Sequence, residues 1–93
     1  MTVGVLQLNL FIPQVNSLKS KRQILKSLKS KIRHKFNVSV AEIDYLDKWQ
    51  SEVLAVVCVN SDKRFLNSIL SEVVNLVERE HQLQLIDYKI EIY

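Results

Sequence analysis

The side chains whose type and spacing could do chemistry in this chain are cations. Lys19, Lys21, Arg22, Lys26, Lys29, Lys31, Arg33 and Lys35 crowd one 17-residue stretch that holds no acid. Residues 1–41 therefore carry +8, residues 42–93 carry −5, and the formal net is +3. A split of this kind points to an anionic partner or to self-complementary association. If the stretch is helical, Lys19, Arg22, Lys26, Lys29 and Arg33 fall within roughly 80° of arc. Their four like-charge neighbour pairs, at about 0.2–0.5 kcal/mol each, weaken the helix by roughly 1–2 kcal/mol. Lys19, Lys21 and Arg22 also occupy the first turn, where the helix dipole disfavours cations.

Such a helix calls for anionic company. Three kinds are open: a nucleic-acid backbone, the acidic half of the protein itself (Glu42, Asp44, Asp47 and Glu52 follow closely), or water and counterions. The free N–H groups at the helix start, beside Ser17 and three cations, would suit one phosphate. The expected nucleic-acid contacts are thus Ser17, Lys19, Lys21, Arg22, Lys26, Lys29 and Arg33. Contact of this kind is salt-sensitive and weakly selective.

The remaining candidates are thinner. Glu42 and Asp44, two apart on a strand, would face one way and with Asp47 could meet a hard cation, but a polar rim that keeps an edge strand soluble has the same composition. His34 and His81 fall near helix C-termini, where imidazolium favours the dipole. Cys58 sits in an apolar run and reads as core. Tyr45 and Trp49 follow the second strand, and the Trp is expected to anchor its loop within the fold or, failing that, at a dimer contact. No catalytic residue, metal ligand set or cofactor motif emerges, and a non-enzymatic protein is expected.

These side chains must be positioned by elements that the hydrophobic pattern defines. Residues 3–12 alternate, with Leu6, Leu8, Leu10 and Ile12 on one side, and Pro13 stops the strand. Residues 17–35 switch to helical spacing through Leu18, Leu25, Leu28 and Ile32, with Ser17 as N-cap and a competing box at Ser20 and Gln23. Residues 38–43 read as a second strand. Residues 52–59 are apolar apart from Glu52, as in a strand buried on both faces. A second helix spans about 62–80, along Leu66, Ile69, Leu70, Val73 and Val77. Residues 84–92 alternate again, Ile86, Tyr88, Ile90 and Ile92 against Leu85, Asp87, Lys89 and Glu91.

The order β-α-β-β-α-β in one 93-residue domain predicts a ferredoxin-like α+β sandwich, a four-stranded antiparallel sheet with both helices on one face. The other sheet face would carry Val5, Phe11 and Leu85 among polar residues, a surface for a possible second subunit. RNA-recognition domains share this topology but stack bases on aromatics of the first and third strands. Here the third strand has none, so backbone contact through the first helix is the expected mode. The junction Pro13-Gln14-Val15-Asn16 lacks the glycine of acylphosphatase and ACT-type sites. One cysteine excludes a disulfide framework. No apolar run is long enough to span a bilayer and no secretory pattern opens the chain, so a cytoplasmic protein without membrane contact is expected.

The chain resembles the YlxP-like family, a bacterial domain of unknown function. The matching residues are Val3-Gly4-Val5-Leu6 through Ile12-Pro13, Ser17-Leu18-Lys19 with Lys21-Arg22, Phe36 to Glu42 followed by Asp44, Asp47 with Trp49-Gln50, and Tyr88 to Ile92. The resemblance implies a small cytosolic ferredoxin-like protein with no established catalytic residues. Where many members carry an acid at position 20, this chain has Ser20. Members tend to be encoded near translation and ribosome-maturation genes, which favours RNA or ribosomal components as partners. The rival expectation is a homo-oligomeric structural or adaptor protein whose basic helix meets an acidic protein surface.

Overall fold

A computed structural model describes residues 1–93. The elements run β1 (Thr2–Phe11), α1 (Leu18–Lys35), β2 (Ser39–Asp44), β3 (Ser51–Asn60), α2 (Lys63–Glu78) and β4 (Gln84–Ile92). The strands form one antiparallel sheet in the order β2-β3-β1-β4, which is the expected ferredoxin-like arrangement. No helix is long and apolar enough to cross a membrane.

Period-two alternation in the central strands produces the core. Leu6, Leu8 and Leu10 of β1 and Leu54, Val56 and Cys58 of β3 face Leu25, Leu28 and Ile32 of α1 and Leu66, Leu70, Val73 and Val77 of α2. Gly4 lies on this same side, and a Cβ there would come within 2.8 Å of Leu70 Cδ1 and 3.0 Å of Leu66. The missing side chain is what lets α2 settle on β1.

Both helices start on side-chain caps. Ser17 Oγ accepts the Ser20 N–H at 3.1 Å, and its own hydroxyl donates to Ser20 Oγ at 3.0 Å, so Ser17 is the N-cap and Ser20 supports it. Asp62 caps α2 by accepting from Arg64 N–H.

Two irregularities change the facing of residues on the edge strands. In β2 the register against β3 shifts between Glu42 and Asp44. In β4 the register against β1 shifts at the level of Asn9 and Leu10, between Asp87 and Leu85. A bulge inserts one residue and reverses the alternation beyond it. Leu85 consequently turns to the helix side and packs on the core, correcting its expected place on the open face. Ile86, the inserted residue, is 62% exposed instead of inward. By the same mechanism Glu42 pairs with Leu54 on the helix side while Asp44 pairs with Val53 on the open face. The two acids do not share a face, and no group of three potential ligands gathers at a metal-binding position.

Candidate nucleic-acid interface

The apolar stripe of α1 is Leu25, Leu28 and Ile32, and the residue that continues it toward the N-terminus is Lys21. The fold therefore draws Lys21 inward, and it is 1% exposed. Its ammonium donates to three backbone carbonyls of the β2–β3 connection: Tyr45 at 2.6 Å, Lys48 at 2.5 Å and Ser51 at 2.8 Å. Glu52, also 1% exposed, meets it as an ion pair at 3.1 Å. The three ammonium hydrogens are committed to the carbonyls, and neither Glu52 oxygen accepts a hydrogen bond. Burial pushes the Glu52 carboxyl above its ordinary value, against the opposing pull of Lys21.

This arrangement corrects the expectation that Lys21 belongs to the solvent-facing cluster. In this fold its charge is spent inside the protein, holding a loop. The loop needs such an anchor, because Tyr45 stands at φ 59°, a left-handed conformation that a bulky residue rarely adopts. Trp49, expected to anchor the loop within the fold, is instead 51% exposed.

The other cations divide into two groups. Lys29 pairs with Glu42 at 2.6 Å, both side chains half-buried, and Arg33 donates to the Val40 carbonyl at 2.8 Å. These contacts tie the C-terminal half of α1 to edge strand β2. The self-neutralising option is thus realised in part, for Lys29 through Glu42. Lys31 pairs with Glu80, beyond the end of α2. Lys19, Arg22 and Lys26 are exposed, and the structure gives them no acidic or hydrogen-bond partner. They follow one another at three- and four-residue spacing along the first half of α1. Arg33 keeps most of its donors, since only one reaches Val40. The Ser17 hydroxyl is engaged in the cap.

Elsewhere the structure offers little reactive chemistry. Cys58 is buried, and burial raises its thiol above the ordinary value. His34 is exposed in the last turn of α1, and His81 is exposed in the turn between α2 and β4.

On the sheet face opposite the helices lies a cleft of about 670 Å³. It is bordered by Gln7, Asn9 and Phe11 of β1, Val53 of β3, Asp44 and Tyr45 after the β2 bulge, and Ile86 at the β4 bulge. Val53 forms its floor and is only 8% exposed, although no helix covers this side.

One sequence signal for the buried pair existed. Lys21 falls at an apolar position of the α1 stripe, and Glu52 is the one charge within the apolar β3 segment. Two opposite charges on inward faces of neighbouring elements must meet or be expelled, because each alone would cost too much to bury.

Residues 3–90 match the model of a family described as a protein of unknown function (DUF503). The uncharacterized protein YlxP of Bacillus subtilis (strain 168) is 32% identical over 76 residues, which are 82% of this chain and 83% of that protein. Among solved structures, the de novo designed protein Foldit4 superposes with a TM-score of 0.57 at 11% identity, covering 100% of this chain and 97% of its own. The cofactor-independent oxygenase SnoaB from Streptomyces nogalater gives 0.52 at 12% identity, covering 97% and 90% of the two chains. The C-terminal domain of a cyclometallase involved in the synthesis of the NPN cofactor of lactate racemase gives 0.50 at 13%, covering 100% of this chain and 55% of that one. These structural likenesses speak to the fold alone.

Proposed function

The chain belongs to the DUF503 family, and we propose that it is a non-catalytic protein that binds RNA through its phosphates. The contact is the exposed side of α1, made by Lys19, Arg22 and Lys26, with Arg33 adding its free donors at the far end. The observation that carries this reading is the lack of any internal partner for those first three cations. Elsewhere along α1, Lys21 is met by carbonyls and Glu52, Lys29 by Glu42 and Lys31 by Glu80, while Lys35 has only the Phe36 ring at 5.6 Å. Like charges three and four apart weaken a helix, and a phosphate row would turn that repulsion into attraction. The family resemblance directs the search toward RNA of the translation machinery in the cytoplasm.

Three phosphates neutralised on a single strand give a slope of about −2 in log affinity against log salt, or a roughly twentyfold loss between 50 and 200 mM. Titration of a labelled single-stranded RNA at several salt concentrations measures this slope. The variant K19E/R22E/K26E, altered at exposed positions only, should fold normally and lose the salt-dependent binding. Parent-like affinity in that variant would show that α1 is not the contact. The rival reading, a basic helix meeting an acidic protein surface of another copy, predicts assembly and not RNA binding, and light scattering of the parent and the variant separates the two.

A further inference from the structure

We propose that the cleft on the open sheet face is a binding site for a nucleobase that carries an exocyclic amino group. The inference rests on the RNA reading only for the source of the base; the cleft's own chemistry is separate from that of α1.

The two edge-strand bulges lie at one level of the sheet, on either side of the Asn9–Val53 pair. They displace Ile43 and Ile86 outward at opposite margins, and the sheet between them becomes a trough. Its volume, about 670 Å³, is in the range of small-molecule sites. Val53 makes an apolar floor. Phe11 and Tyr45 are the aromatic lining, and aromatic rings offer sequence-tolerant stacking for any base. The second aromatic comes from the hairpin and not from the third strand, where base-stacking domains of this topology carry it.

Polar groups then select among bases. Gln7 and Asn9 point to the same sheet face, and neither carboxamide has a hydrogen-bond partner within the protein. A carboxamide offers a donor and an acceptor side by side, which suits the edge of a base. Asp44 stands at the margin with one oxygen, Oδ1, accepting the Tyr45 N–H at 2.8 Å. Its second oxygen is free to accept from an amino group. The same carboxylate repels phosphate and repels a base oxo group, so the base enters and its phosphate stays outside. Tyr45 is held in place from the other layer, since its carbonyl is one of the three on Lys21. The wall of the cleft and the basic helix are therefore joined by one buried ammonium.

Cytidine and uridine differ in having an amino or an oxo group at one ring position, and neither carries phosphate. Titrated separately into ¹⁵N-labelled protein, cytidine should give saturable shifts at residues 7–11, 43–45 and 51–53, and it should bind roughly tenfold or more tightly than uridine. Asp44→Asn, which keeps an acceptor for the Tyr45 N–H, should narrow that preference. K19E/R22E/K26E should leave cytidine binding unchanged while lowering the affinity for oligocytidylate. Equal response to the two nucleosides, shifts elsewhere, or no saturable binding at millimolar concentration would overturn the inference. If oligonucleotides bind α1 with the expected salt slope while nucleosides leave the cleft untouched, the inference fails and the phosphate reading stands. The reverse pattern retains the cleft and removes the phosphate reading.

Discussion

Replacing Lys21 by methionine tests the clamp between α1 and the β2–β3 hairpin. Methionine keeps an unbranched apolar stem and removes the charge. Three carbonyls, those of Tyr45, Lys48 and Ser51, then lose their donor, and the Glu52 carboxylate keeps its burial without a counter-charge. Removing one member of a buried ion pair costs about 3–5 kcal/mol, and each buried acceptor left alone adds about 1–3 kcal/mol unless the loop opens to water. Opening of the loop limits the total, so we expect a loss of about 3–5 kcal/mol. That is a large share of the roughly 5–14 kcal/mol expected for a domain of this length, and it corresponds to a fall in Tm of roughly 12–40 °C. Urea denaturation followed by far-UV circular dichroism measures it, with Trp49 emission as a second probe of the hairpin. Glu52→Gln should cost far less, no more than about 1–2 kcal/mol, because the ammonium retains its three carbonyls. Lys21→Met with Glu52→Leu should be more stable than Lys21→Met alone, since no buried charge remains. Equal losses for Lys21→Met and Glu52→Gln would refute the reasoning, because the ion pair and not the carbonyl cage would then hold the loop. A loss under about 1 kcal/mol for Lys21→Met would refute the clamp itself.

Three further outcomes follow from single sites. The Glu52 carboxyl holds its proton above the ordinary value of 4.5 in the folded state, chiefly through burial, so its contribution is full below that pH and is lost as pH rises through the raised value. Comparing the parent with Glu52→Gln across that window should show the parent losing stability relative to the variant as pH increases. Gly4→Ala forces a methyl against Leu70 and Leu66, and equilibrium unfolding should record a loss of about 1–3 kcal/mol with α2 displaced. Ser17→Ala removes the acceptor for the Ser20 N–H and should cost about 1 kcal/mol in thermal denaturation without changing RNA affinity, whereas a selective loss of binding would place the hydroxyl on the phosphate.

Most of the architecture could be read from residue periodicity. The alternation of Leu6, Leu8 and Leu10, the helical spacing of Leu25, Leu28 and Ile32, and the apolar β3 run each permit one kind of element with one buried face. Ser17 and Pro13 mark where the first helix and first strand begin and end. The bulges were not readable. One inserted residue at Ile43 or Ile86 changes no pattern enough to be seen, yet it turns Asp44 away from the face of Glu42 and reverses the facing of Leu85. The candidate interface was half legible for a related reason. The row of cations is plain in the sequence, but which of them face solvent depends on what lies across from each.

Local pattern, capping and charge segregation belong to the sequence by itself, because each is settled among residues a few positions apart. They determine the element order, the sheet-and-helix layering and the excess of positive charge on α1. Tertiary structure alone assigned that charge its uses. It brought Lys21 to Glu52 and to carbonyls 24–30 residues away, set Lys29 on Glu42, and left Lys19, Arg22 and Lys26 in water. The physical reason is that a charge is tolerated inside a protein only when partners from distant segments arrive with the right geometry, and that arrival is a property of the whole fold.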